Sequence, residues 1–152
     1  MSLGDLLEQK LDLPGSERGR IGVEAPSGAA AEVDVVEVDR LGARVDRVRV
    51  TTPAPGPLAR QADGIAERVR DLGDRLVPVE VDDRLGGGVL RTAPQEIRGR
   101  RFFEVELDGE GATVERYQVG EDNQRERQPF TLTREQLGRL VDDLEDGLRA
   151  AD

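Results

Sequence analysis

Between Arg84 and Arg101 the chain sets five arginines against one acid, Glu96, and the stretch ends in RGRR, Arg98 to Arg101, running directly into Phe102 and Phe103. Clustered guanidinium groups hold phosphate oxygens, and an aromatic ring beside them offers a face on which a base can stack. The local charge is +4 in a protein whose formal net charge is -10. Ion pairing with nearby carboxylates competes with that role: strand alternation places Phe102 on one face with Glu104 and Glu106, within reach of the same arginines.

Other chemistries are poorly supplied. The chain has no Cys and no His, which removes thiol catalysis, zinc and iron-sulfur sites, Ser-His triads, disulfides and histidine pH switching. Ser2, Ser16 and Ser27 are the only serines, all in terminal or Gly-rich stretches. Carboxylates are abundant, but they fall on alternating charged strands and helix faces that read as solvated surface. Gly86 to Gly88 lack the Lys and Ser/Thr of a P-loop and read as a hairpin turn. Gly120 to Gln128 have no EF-hand spacing and read as a solvated loop, and Asp142 to Asp146 as the outer side of a helix. The residues predict no enzyme, no metal and no cofactor.

The elements that must position the arginines occur in duplicate. VDVVEVDRLGARVDRVRV, residues 33 to 50, lies over FFEVELDGEGATVERYQV, residues 102 to 119, with 8 identities in 18 positions. The match extends back to GRIGVEAP over GGVLRTAP and forward to the segments at Gly56 to Leu76 and Gln128 to Leu148. Collinear matches at a nearly constant offset indicate internal duplication, with one unit at about 19-76 and a second at about 87-148.

Each unit reads as strands followed by a helix. Asp39 to Gly42 and Asp108 to Gly111 supply hairpin turns. Val36 and Val38 are expected on one strand face, as are Val105 and Leu107 with Phe103. Val45 falls out of phase with Val48 and Val50, which calls for a bulge or for cover on both faces. Leu58, Ala62, Ile65, Val69 and Leu72 form one helical stripe, begun at Pro57 and weakened at Gly64; Leu137, Leu140, Val141, Leu144 and Leu148 form another. Thr133 and Gln136 fit a capping box. Leu76 to Asp83 reads as a strand; residues 3 to 13 read as a helix with Leu3, Leu6, Leu7 and Leu11 on one side, with a strand carrying Leu11 and Leu13 as the alternative. The fold class is α+β: internally duplicated antiparallel β-sheet units each followed by a helix.

The 152 residues suit a single domain, residues 1-152. Apolar and charged residues each make up 36%, and among 22 bases the only lysine is Lys10. The opening segment has neither a basic leader nor a long apolar run, so a soluble, cytoplasmic protein without membrane contact is expected.

The order ATVERYQV, then FTLTREQLGRLVDDL, strands leading through an apolar-Thr-apolar-Thr element into a helix, is similar to the Whirly and transcriptional positive-coactivator family of single-stranded DNA binders. The resemblance spans residues 98 to 148 and implies four strands before a helix, occurring twice by dimerisation or duplication. It further implies phosphate contacts at Arg98, Arg100, Arg101 and Arg116, with stacking at Phe102 or Tyr117. The acidity of the chain and the absence of catalytic groups point first to a non-enzymatic module that binds a protein partner, an adaptor or chaperone-like protein; a single-stranded nucleic acid is the alternative ligand. Either a monomer or a homodimer fits a duplicated unit.

Overall fold

Alternating valines and a few Asp-Gly turns draw nine strands into one antiparallel sheet. The structure is a computed structural model that describes residues 1–12, 18–93 and 100–150. The first half contributes helix α1 (Leu3–Leu11), strands β1 (Gly19–Glu24), β2 (Ala30–Val38) and β3 (Gly42–Thr51), and helix α2 (Leu58–Arg68). The second half contributes β4 (Val77–Asp82), β5 (Gly87–Arg91), β6 (Arg100–Leu107), β7 (Gly111–Val119), β8 (Arg125–Gln128), β9 (Phe130–Thr133) and helix α3 (Arg134–Leu148). The protein is α+β, with sheet order β1-β2-β3-β7-β6-β5-β4.

Residues at matching places in the two sequence repeats make matching bonds. Asp39 Oδ1 accepts the N–H groups of Leu41 (2.7 Å) and Gly42 (3.0 Å), and Asp108 Oδ1 accepts those of Glu110 (3.0 Å) and Gly111 (2.9 Å). Each Asp thereby satisfies two turn donors that the strand ladder leaves over. The meanders β1-β2-β3 and β5-β6-β7 then meet edge to edge, Val48 to Thr51 opposite Gly111 to Val114.

Beyond that short ladder β3 and β7 part company. β8 pairs antiparallel with β7 and β9 antiparallel with β3. Since β3 and β7 are themselves antiparallel, one segment can do both only by entering a fork along one strand and leaving along the other. Pro129, which has no N–H to place, stands where the partner changes. The loop expected at Gly120 to Gln128 is therefore half strand: Arg125 and Arg127 alternate with the ladder and find carboxylates on the sheet.

The valine phase needs two bulges. The register slips by one residue on β3 around Asp46 and then on β2 around Val36. The first slip brings Val45 back onto the face of Val48 and Val50, all three with no exposure. The second corrects the expectation for β2: Val33 and Val35 face the core, while Val36 is half-exposed.

The three helices cover one face of the sheet, α1 against β1 and β2, α3 against β3, and α2 against β4 and β5. Ser2 and Asp5 cap α1 reciprocally, as Thr133 and Gln136 cap α3. α3 touches both neighbours through glycines. A Cβ on Gly138 would press on Glu8 and the Gly4 carbonyl, and one on Gly147 would overlap Ile65 of α2. Gly64, costly to helix propensity, lies at the second crossing, so its absent side chain is a packing requirement. α2 itself stops at Arg68, yet Val69 and Leu72 continue its stripe into the core at 0% and 4% exposure. Among the described residues no helix is long and apolar enough to cross a membrane.

The acidic run on α3 is less solvated than its sequence implies. Asp142 Oδ1 accepts the Gly4 N–H (2.8 Å), holding the start of α1, and Glu145 is 8% exposed beside Arg149. Burial raises the pKa of Glu145, Asp143 and Glu8, with neighbouring acids adding to it. At the turns the direction is opposite. Backbone N–H donors from Leu41 and Gly42 hold Asp39 low; burial acts to raise Asp108, but the Arg49 contact and the turn N–H groups outweigh it.

Two outcomes follow. Gly147→Ala gains about 1 kcal/mol of helix propensity but overpacks the α2 crossing by about 1–3 kcal/mol. Its thermal midpoint falls below that of the parent, whereas Gly22→Ala, with no atom nearer than 3.8 Å to the new methyl, leaves it unchanged or higher. In pH, the raised carboxylates bind protons more tightly folded than unfolded, so stability increases as pH falls from neutral into the ordinary carboxylate range. It drops again at lower pH, as Asp39 and Asp108 lose the charge their turns favour. Urea midpoints across pH 7 to 3 test both limbs.

Candidate functional site

Strand alternation divides the arginine-aromatic cluster between two faces. On β6, Arg100 and Phe102 point away from the helices and Arg101 and Phe103 toward them; on β7, Tyr117 lies opposite Phe102 and Arg116 opposite Phe103. The set Arg98, Arg100, Arg101, Phe102, Arg116 and Tyr117 is thus not one surface, and Arg98 lies outside the described residues. Sequence spacing alone carried this division, since Arg100 and Arg101 are adjacent on one strand.

The helix-free face is organised by Glu104. Its carboxylate, 8% exposed, accepts from Arg91 Nε at 2.8 Å and from Arg125 Nη1 at 3.0 Å. Both guanidiniums also cover aromatic rings. Arg125 sits 4.1 Å over Tyr117 and Arg91 5.6 Å over Phe102, while the two rings approach to 5.8 Å. Burial acts to lower the Arg125 pKa, but its bond to Glu104 prevails and the guanidinium is held charged. Next along the face, Glu115 accepts from Arg127 at 2.8 Å and from the Tyr117 hydroxyl at 3.2 Å. Burial, followed by the charge of Glu115, pushes the Tyr117 pKa up.

The two rings singled out as stacking platforms are therefore covered: Phe102 is 9% exposed and Tyr117 lies beneath a guanidinium. Arg91, one of the five arginines of the basic stretch, and Arg125, which the sequence did not single out, organise this face. Period-2 spacing placed Arg91 opposite Glu104 only once the pairing of β5 with β6 was known.

A groove of about 840 Å³ opens beside this network, lined by Val77, Val79, Arg91, Arg100, Phe102 and Arg125 among others. Its apolar wall is β4, the last strand of the sheet. Val77 and Val79 are 55% and 56% exposed. Arg100 on the rim donates to Asn123 Oδ1 at 3.3 Å and has no carboxylate within ion-pair distance among the described residues. The groove offers an apolar wall and floor beneath a cationic rim, an arrangement suited to recognition.

On the helix side, Arg101 and Arg116 face a second, adjoining pocket of about 300 Å³ that Phe103, Phe130 and Leu132 also line. Phe103 and Phe130 meet edge to face at 5.0 Å, and Arg116 lies 5.5 Å over Phe103.

No family model, no curated protein and no solved structure matches the chain.

Glu104 is the test of the network. Replacing it by Gln leaves Arg91 and Arg125 without their shared anion over a buried position, at a cost of about 1–3 kcal/mol once the part-exposed guanidiniums turn to solvent. Glu106→Gln, one pleat along on the exposed face, stays within about 0.5 kcal/mol of the parent. Urea unfolding of the two variants makes the comparison.

Proposed function

We propose that the protein is a non-enzymatic binding module that takes up an extended segment of a partner protein along β4. The observation that carries this is the exposure of Val77 and Val79 on a terminal strand beside the groove. A soluble fold does not ordinarily leave an apolar strand edge open, because it invites pairing with another chain. Pro78 and the register slip at Val79 restrict ladder formation to the stretch from Val79 to Asp82. An apolar side chain of the bound segment fits against Val77 and Val79, and an acidic neighbour meets Arg100.

Charge favours this occupant over a nucleic acid. Arg91 and Arg125 already share Glu104, and covered rings give a base no open face. Adaptor and chaperone-like roles both use such a surface, holding a partner segment that has not folded on its own.

The experiment selects peptides from a random displayed library against the full chain and measures affinity for the parent and for Val79→Lys, a change at an exposed position. Enriched peptides pair an apolar residue with Asp or Glu and bind Val79→Lys at least about tenfold more weakly, a loss of about 1.4 kcal/mol. Unchanged affinity in Val79→Lys rejects the site. Micromolar binding of a labelled single-stranded oligonucleotide that collapses with added salt replaces the reading with nucleic-acid binding.

A further inference from the structure

Like charges are not placed side by side in a half-buried pocket without consequence. Arg101 and Arg116 project from β6 and β7 on the helix side, diagonal across one ladder, into the pocket of about 300 Å³. Among the described residues neither has a carboxylate within ion-pair distance, although the chain carries 32 acids. The Arg101 Nε–H is buried and has no hydrogen-bond partner among the described residues. A buried donor left over in this way stands for a partner that the described residues do not supply. Burial lowers the Arg116 pKa, and the charge of Arg101 lowers it further, so the two guanidiniums repel each other where they stand.

The nearest acids do not neutralise the pair. Asp71 lines the pocket but is held by Arg139 through contacts of 3.0 and 3.2 Å, and Asp74 accepts from the Arg75 N–H. A third donor stands opposite. Gln136 uses its Oε1 to cap the Thr133 N–H at 2.9 Å, leaving its amide N–H groups free to turn to the pocket, in the first turn of α3 where the helix dipole favours negative charge.

We infer that Arg101, Arg116 and Gln136 form an oxyanion site, binding a phosphate or carboxylate group whose apolar body rests on Phe103, Phe130 and Leu132. The site adjoins the β4 groove, sharing Asp74, Thr92, Ala93 and Phe102 with it, but its arginine pair and apolar floor are its own, so it stands whether or not that groove binds a partner. Planar guanidiniums bind such groups through paired N–H donors, and an anion between them converts their mutual repulsion into attraction.

Inorganic phosphate and, separately, acetate are titrated into the full chain at constant ionic strength maintained with chloride. Arginine Nε–H resonances and the thermal midpoint are the readouts. Saturable changes at Arg101 and Arg116, with a dissociation constant of about 1 mM or tighter, are expected in at least one arm, and the arm that responds separates a phosphate ligand from a carboxylate. A midpoint that rises with the anion accompanies them. In Arg101→Gln and Arg116→Gln that rise disappears, while in chloride alone both variants melt at or above the parent because the repulsion has gone. Arginines serving only to pack against Phe103 would give the opposite, variants that melt lower in every buffer. The inference is overturned by the absence of saturable change in both arms, a result read on the parent chain and independent of the variants' folding, or by an equal rise in parent and variants.

Discussion

Four residue pairs between β3 and β7 join the two halves of the sheet, and the rest of the structure follows from how short that ladder is. Val48 and Val50 contribute apolar side chains on one strand, Ala112 and Val114 on the other, all fully buried. Gly111 begins β7 so close to β3 that a Cβ would overlap the Val50 carbonyl, and Gly42 stands in the same relation to Leu132 of β9. Because the ladder ends early, β3 and β7 each present open hydrogen-bonding edges inside the sheet. A fork of that kind is tolerable only if another segment fills it, and β8 with β9 does so on both sides of Pro129.

The helix layer spans the same junction. α3 lies over β3 between α1 and α2, and α2, which follows the first meander, covers strands of the second. α1 stays over its own strands, but α2 and α3 each reach across to the other half, so the two meanders share one core. Glycines at the crossings bring the helix axes together, and this lets a chain with few large apolar residues reach a closed interior. The acids of α3 are drawn into that layer as caps and part-buried groups, where a surface helix would leave them in water.

The two faces of the second meander come to differ in charge management because neighbours in sequence point opposite ways. On the open face Arg91, Arg125 and Arg127 are each held by Glu104 or Glu115, and Arg91 and Arg125 also lie over rings. On the helix side, Arg116 lies over a phenyl face and beside Arg101, and among the described residues neither has an ion-pair partner. The groove beside β4 borrows from both worlds, with valines on its wall and guanidiniums at its rim.

Local pattern settled much of this architecture. Asp-Gly turns, the Thr133 and Gln136 cap, the Leu stripes of α1 and α3 and the out-of-phase Val45 each act within a few residues, so their signals survive in the one-dimensional string. The fork, the placement of α2 over the opposite half and the pairing of Arg125 with Glu104 depend on which strands become neighbours, and periodicity carries no information about that choice. The same holds for the arginines. Composition and spacing determined that guanidiniums and aromatics would lie close along the chain; only the sheet, by turning alternate residues to opposite faces and setting β5 and β8 beside β6 and β7, decided which of them would be neutralised and which left facing each other.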